Sequence, residues 1–599
     1  MRFYLFNAKW IAPIMAAGVM VVSGCTDDKY DLNEVDMTVG IGGGELTLPG
    51  SSTTNILLDD VLDIDNSECV VIEEDGDYVF RQVGADVEPV KVRIERIVIT
   101  ENTSNSLDVS FTTPDLSGLP NAQGEITLPA EIKADGEVHV FDYSDDSAPE
   151  ELVELRGATV SEHFDMKVKF SADLKKYVPT LKELKLRMPA YMVLENVNSS
   201  ASFTQDGAML TFKNVSTGND LTITGNVTRL DFTNSDKTLG KLEMKKENGK
   251  TIVSLDGKVN VSASFDKMKL DGSSLSNAKL SIGSDVVMSK FEVTSAEGRF
   301  DPTIDLNDLG DADITGVPSF LEDDGVVIDL YNPQILLTLD GNLDVAGTVT
   351  GRLTSYKAGR TLKTLDIPEM KINAGSKTRI CICRVNSTDV QAKNYDQVVV
   401  VPDLSELIKT IPDKVTFSAQ AKADKNKVVN FMLGHDYTIT PSYAIEAPLA
   451  FADDACIVYT DSIDDLSSDL EDIDLGNDAQ LVITADVENH VPAYIEVSAT
   501  ALDINGNELA PTEVKVDVEG VVAAYNGDQT ASSPLKITAR QQTKGALKKL
   551  DKIKFTIEAK AKADGCPAVT GQTLNAKKHY IKADNISVKL VGKVTADLN

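Results

Sequence analysis

Tryptophan is all but missing from this chain of 599 residues: Trp10 is the only one, histidine occurs five times and cysteine six times. Each shortage excludes something. Sugar platforms usually stack a ring's C–H face on Trp or Tyr, so the lack of Trp after residue 10 weakens a glycan-binding reading and leaves it to fifteen tyrosines. The histidines are His139, His163, His435, His490 and His579, none within five residues of another, so no HExxH or local His pair can form. Nucleophilic catalysis needs a Ser, Cys or Thr beside a base that a third group holds; there is no GxSxG elbow and no cysteine in a protease-like context. Glycosidase carboxylates are defined by separation in space and not by a local motif, and 93 acids give no means of choosing two.

Basic residues are also short. Fifty-eight Lys and Arg against 93 Asp and Glu leave a net charge of -35. Residues 1–24 carry Arg2 and Lys9 and no acid, so their removal takes the charge from -35 to -37. That sign repels phosphate backbones and argues against nucleic acid as a partner. Beyond the N-terminus no apolar run approaches the roughly 18 residues that a membrane-spanning helix needs. Apolar content of 42% nevertheless suits a packed protein, so the charge does not signal disorder.

What is present begins with the leader. Arg2 and Lys9 precede the apolar stretch from Ile11 to Val22, which is too short to span a bilayer, and Val22-Ser23-Gly24-Cys25 closes it. This site resembles the bacterial lipobox, which implies cleavage before Cys25 and acylation of that residue. Cys25-Thr26-Asp27-Asp28-Lys29-Tyr30-Asp31-Leu32 looks like the acidic leader of Bacteroidota surface lipoproteins. The resemblance implies a lipid anchor in the outer membrane, facing the cell surface. With Cys25 acylated, Cys69, Cys381, Cys383, Cys456 and Cys566 remain, an odd number that cannot form a disulfide framework alone. Cys381 and Cys383 are spaced as neighbours on one strand face. Gly40-Ile41-Gly42-Gly43-Gly44 lacks the Lys-Ser/Thr of a phosphate loop and reads as part of a flexible tether over 25–48.

The body reads as strands. Val90 to Ile99 alternates apolar and charged residues for most of its length, and similar runs recur at 106–112, 137–142, 164–170, 220–232, 251–267 and 277–294. Between them stand hairpin pairs such as Asp135-Gly136, Asn248-Gly249, Asp256-Gly257 and Asn505-Gly506. The expected fold is mostly β: tandem antiparallel β-sandwich modules with a few short helices. The clearest helix spans Asp403 to Ile411, with a stripe of Leu404, Leu407, Ile408 and Ile411, capping-box spacing at Asp403 and Glu406, and Pro412 as its stop.

An internal repeat organises the second half. Asp413-Lys414-Val415-Thr416-Phe417, then Ala421-Lys422-Ala423-Asp424, is matched by Asp551-Lys552-Ile553-Lys554-Phe555, then Ala561-Lys562-Ala563-Asp564. A fainter third copy is Leu174 to Pro179 leading into Leu184–Met188. Asn332-Pro333 and Asn489-His490-Val491-Pro492 each sit between two alternating runs, and each follows an acidic tract, with eight acids in 301–324 and eight in 461–480. The Asn-Pro strand pair is similar to strands of late-embryogenesis-abundant type domains, which again implies a β-sandwich. The expected division is signal peptide 1–24, tether 25–48, β domains 49–160 and 161–299, and repeat modules 300–457 and 458–599.

One metal pattern stands out. Asp311, Asp313 and Thr315, with Gly316 and Glu322, match calcium-loop positions 1, 3, 5, 6 and 12, apart from Pro318 and the strand-like flanks. Asp472, Asp474 and Asp478 around Gly476 form a looser version. The competing reading is a solvated acidic linker. His435-Asp436-Tyr437 and His579-Tyr580 fall at like places in the two repeats, as packing positions do. The function expected is a non-enzymatic, lipid-anchored surface protein with an adhesive, structural or ligand-binding role, whose partner beyond the membrane is a glycan or protein. The alternative is a polysaccharide-binding accessory protein or glycan hydrolase of an uptake system.

Overall fold

The alternating runs form strands, and the strands form six antiparallel-dominated sheets stacked in pairs. The computed structural model describes residues 39–47 and 52–596, except 63, 65–66, 100–102, 115–122, 273–274, 276, 307–308, 319–320, 322–324, 465, 470–472 and 528–530. In chain order the early elements are β1 (Val39–Thr47), β2 (Ile56–Leu57), α1 (Leu58–Leu62), β3 (Tyr78–Val83) and β4 (Val90–Val92). None of these strands belongs to a sheet of its own, as shown below.

The first sandwich runs from about residue 98 to 300. Its main members are β5 (Gln123–Ala148), β6 (Leu152–Phe170), α2 (Ala172–Tyr177), β7 (Thr180–Arg187), β8 (Lys250–Asp271) and β9 (Phe291–Phe300). β8 lies between β5 and β7 in one sheet, while β6 pairs with β9 in the other. A boundary at 160/161 therefore falls inside β6, and 98–300 folds as one pair of sheets. The alternating burial of β6, continuous from Leu152 to Phe170, is the physical reason. α2 starts at Ser171, whose hydroxyl accepts the Leu174 N–H, and leads directly into β7.

The middle sandwich contains β10 (Gln334–Gly341), β11 (Gly347–Lys357), β12 (Thr378–Cys383), β13 (Lys414–Ala423) and β14 (Tyr437–Pro448). The C-terminal sandwich contains β15 (Gln480–Asn489), β16 (Tyr494–Leu502), β17 (Ala531–Gln541), β18 (Lys552–Lys560) and β19 (Tyr580–Ala596). The two share one plan. β10 lies between β12 and β14 just as β15 lies between β17 and β19. β11 pairs with β13 as β16 pairs with β18. The repeated Asp-Lys strands are thus equivalent: Phe417 faces Leu353, Phe555 faces Ala499, and both phenylalanines are buried.

Other expectations need correction. The helix over 403–411 is a single 3-10 turn, Leu404–Leu407, and Asp403 makes no side-chain cap bond. Burial of Leu404 and Leu407 holds the turn in place. A matching 3-10 turn, Ala546–Lys549, precedes β18. The two Asn-Pro segments are not equivalent. Asn332-Pro333 lies just before β10, whereas Asn489–Pro492 joins β15 to β16. What they share is a buried amide that satisfies loop backbone: Asn332 accepts the Val385 N–H and Asn489 accepts the Val491 N–H, both at 2.8 Å.

The tether expected over 25–48 does not run through 39–47, because Val39–Thr47 is a strand. β1 pairs antiparallel with β19, from Val39 opposite Ala596 to Thr47 opposite Lys589, slipping register between Ile41 and Gly44. The glycines that read as flexibility form a bulged edge strand. β2 adds to the other end of β19, and β3 and β4 add to β14. The early segment so completes both repeat sandwiches at the same position, beside the last strand of each.

Candidate functional site

Cys25 and Glu322 lie outside the described residues, as does Asp472. Asp311 and Asp313 lie in a three-residue edge strand, Asp311–Asp313, paired to β13. Strand alternation puts both carboxylates on one face with Ala312 buried between them. The Lys414 ammonium already sits 2.8 Å from the Asp311 carboxylate, and that ion pair competes with any cation there. The Thr315 hydroxyl donates to Glu68 at 3.1 Å, and the Gly316 carbonyl accepts from the Ser67 hydroxyl at 2.9 Å. Gly316 has φ +65° and lies so close to Glu68 that a Cβ would approach its Cβ to 2.8 Å. This stretch packs as strand and turn on the 67–68 segment. Among the described residues no group of three or more His, Cys, Asp or Glu is placed to hold a metal ion.

The remaining cysteines are free thiols. Cys381 and Cys383 point to the same side of β12, fully buried with Val390. Their mutual hydrogen bond and burial push the Cys381 thiol up, away from a reactive thiolate.

The arrangement with chemical potential lies where β15 ends and β19 begins. In β15 the residues Ile483, Ala485, Val487 and Asn489 are buried, so Thr484, Asp486 and Glu488 occupy the outer face. In β19 Ile581 and Ala583 are buried, which puts Tyr580 and Lys582 on that same outer face, with Lys582 in register with Glu488. One oxygen of Glu488, Oε1, lies 3.0 Å from His490 Nε2 and accepts the Tyr580 hydroxyl at 3.3 Å. The imidazole stacks on Tyr580 with centroids 4.0 Å apart, and Tyr525 follows on at 5.2 Å. Glu488 is 31% exposed and His490 19%. Burial first, and then the Glu488 charge, raise the Tyr580 phenol above its usual range. His579, by contrast, faces inward. Its Nδ1 accepts the Asn575 N–H at 2.9 Å, and burial lowers it to about 4, so it is neutral at pH 7.

The middle sandwich also ties a tyrosine at the start of its last strand to an acid, but on the other face: Tyr437 lies on the buried face of β14 with Ile439, whereas Tyr580 lies opposite the buried face of Ile581 and Ala583. Tyr437 opens β14 as Tyr580 opens β19, and its hydroxyl donates to Asp344 at 2.5 Å, in the β10–β11 connection. Here the tyrosine is buried, its oxygen accepts the Met432 N–H, and its ring packs on Phe431 with centroids 4.6 Å apart. Desolvation and the Asp344 bond raise its pKa. In the sequence the neighbouring histidines fall at like places, but neither tyrosine's acid partner is marked there. The available signal was a Tyr at the start of the last strand in both repeats.

Two hollows lie among the described residues elsewhere. An apolar cavity of about 80 Å³ lies beneath α1, lined by Leu58, Leu62, Phe451, Tyr459, Ile495 and Ile557. A crevice of about 430 Å³, between Arg93, Glu95, Asp146, Glu150 and Lys250, marks the junction of the first and middle sandwiches. Four of its charges form exposed pairs, Arg93 with Glu95 and Lys250 with Asp146.

No helix among the described residues is long and apolar enough to cross a membrane. No family of known proteins matches the sequence, and no curated protein does. Among solved structures, a protein of Parabacteroides distasonis ATCC 8503 described as secreted is similar over 50% of this chain and 90% of its own, with 17% identity and a TM-score of 0.34. The infectious bursal disease virus Gx strain is similar over 86% of this chain and 90% of its own, with 8% identity and a TM-score of 0.15. Both likenesses are too distant to define this fold or its role.

Proposed function

We propose that the chain is a lipid-anchored, non-enzymatic surface protein of the outer membrane that binds a ligand at the Glu488–His490–Tyr580 edge of its C-terminal sandwich. The observation that carries the binding role is the cluster itself: Glu488, His490 and Tyr580 meet on a partly exposed outer face, with Tyr525 beside the imidazole. Glu488 Oε2 takes no hydrogen bond from the described residues and so has acceptor capacity for a ligand hydroxyl or amide. The non-enzymatic part draws support from the histidines, each tied to a carboxylate, amide or ring: His139 to Asp256, His163 to Asn226, His435 to Tyr437, His490 to Glu488 and His579 to the Asn575 backbone. The anchor rests on the lipobox-like Cys25.

The test is a screen of immobilised glycans and surface proteins with the full chain. Binding that is lost in Glu488→Ala and Tyr580→Ala, at unchanged melting temperature, supports the reading. Binding untouched by either substitution refutes the site, and release of reducing ends by the pure protein refutes the non-enzymatic role.

A further inference from the structure

The path of the anchored end through the fold implies an order of the three sandwiches above the membrane, an inference that rests on the acylation of Cys25 proposed above. Cys25 and Val39 are fourteen residues apart, a reach of at most about 50 Å. Val39 is not free to lie anywhere, because β1 pairs it with Ala596 at the C-terminal end of β19. The tether therefore meets the body at one end of the last sandwich, also marked by the Ile473–Leu475 edge strand on β19. β19 is seventeen residues long, so its Tyr580 end lies about 55 Å from that entry point.

The middle sandwich joins at the Tyr580 end. Bridges link Asp77 to Asn575, Ala450 to Thr573, and Val327 to Cys456, whose strand Cys456–Ile463 pairs with β18. Asn575 also ties the two units through its side chain, which donates to Asp77 at 2.7 Å. The first sandwich then joins the middle one on another element, where Ser295–Gly298 of β9 pairs with Val429–Met432. No strand pairing among the described residues links the first sandwich directly to the C-terminal one. Within the first sandwich, β9 also pairs with β6 near Gly157, while Leu221 pairs with Val168, about 35 Å further along β6.

We infer that the protein is displayed in reverse: although anchored at its N-terminus, it holds its C-terminal sandwich nearest the membrane and its 98–300 sandwich outermost, with the Gly218 end of that sandwich at the tip. This deepens the proposed role, because it places the Glu488–His490–Tyr580 edge at an inner junction and leaves the 98–300 sandwich as the part that first meets a partner.

Energy transfer tests it. The lipidated full-length protein is reconstituted in phosphatidylcholine vesicles that carry a headgroup-labelled acceptor lipid. A donor dye is attached enzymatically at a short tag inserted in the exposed turn at Asn477, at Asn505-Gly506, or at Gly218, in variants that keep the parent melting temperature. Transfer several-fold stronger from Asn477 and Asn505 than from Gly218 is expected. Equal transfer from all three, or stronger transfer from Gly218, overturns the order while leaving the anchor intact. A parent protein that fails to float with vesicles, or a Cys25→Ser variant that still does, refutes the anchor and the order with it.

Discussion

The middle and C-terminal sandwiches follow one strand plan and then diverge over a single tyrosine. In the middle copy Tyr437 is sealed between Phe431, His435 and Asp344, and its phenol serves the fold. In the C-terminal copy Tyr580 stands at the same strand start, but Glu488 and His490 hold it at a surface. The difference follows from strand alternation: Tyr437 shares the buried face of β14 with Ile439, where Phe431 and the Met432 N–H close over it, while Tyr580 is on the face of β19 opposite buried Ile581 and Ala583. Two copies of one plan thus separate a packing role from one available to a ligand.

The strongest way to break the equivalence is through its shared core. Phe417→Ala and Phe555→Ala should each cost about 3–5 kcal/mol, the cost of a large cavity in a packed sheet interface. If the repeats are equivalent, chemical denaturation should show each substitution lowering the stability of its own sandwich by a similar amount. A loss under about 1 kcal/mol for one of the two would show that the shared strand plan conceals different cores.

Acid should then distinguish the copies. His579 is neutral in the fold, its pKa lowered to about 4 by burial. The unfolded chain takes up a proton near the ordinary histidine value, about 6.5, so it binds more protons than the native state between about 6.5 and 4. Stability from this group is present above about pH 6.5 and is lost as the pH falls toward 4, by up to about 3 kcal/mol. In His579→Gln that loss should vanish, so the gap between parent and variant should narrow as the pH drops. A gap that stays constant from pH 7 to pH 4 would mean that His579 does not titrate with unfolding.

The tyrosines themselves give a smaller contrast. Tyr437→Phe leaves Asp344 and the Met432 N–H without their partner in a buried place, which should cost about 1–3 kcal/mol. Tyr580→Phe removes a bond to a partly exposed carboxylate and should stay within about 0.5 kcal/mol. Equal losses would erase the distinction between a buried and an open pair.

How much of this the sequence revealed depends on whether the signal is local. The two-residue alternation of β6 and the Asp-Lys-x-x-Phe strands β13 and β18 can be read along the chain, and so could the sandwich fold and the duplication. Pairing across hundreds of residues cannot. Nothing within Gly40–Gly44 shows that its partner is Val591–Thr595, so a bulged edge strand looked like a tether. The boundary at 160/161 failed for the converse reason: a long strand carries no mark at its midpoint. The tyrosine–acid pair joins residues 93 positions apart in one copy and 92 in the other, a spacing that has meaning only once both strands are placed.

The smallest expected effect concerns the acidic tracts, which begin alike in the two copies: Asp311–Asp313 pairs with β13 as residues 461–463 pair with β18, and the later Ile473–Leu475 adds an edge to β19. In the middle copy the Asp311 carboxylate already has Lys414 as its exposed partner, and among the described residues no group of three or more His, Cys, Asp or Glu is placed to complete a calcium shell. Calcium added to the full chain should therefore give no saturable heat and no shift in melting temperature, and Asp311→Asn should change neither. Stoichiometric heat that disappears in Asp311→Asn would mean that calcium displaces Lys414 and that the loop spacing, not the strand, decides what this tract does.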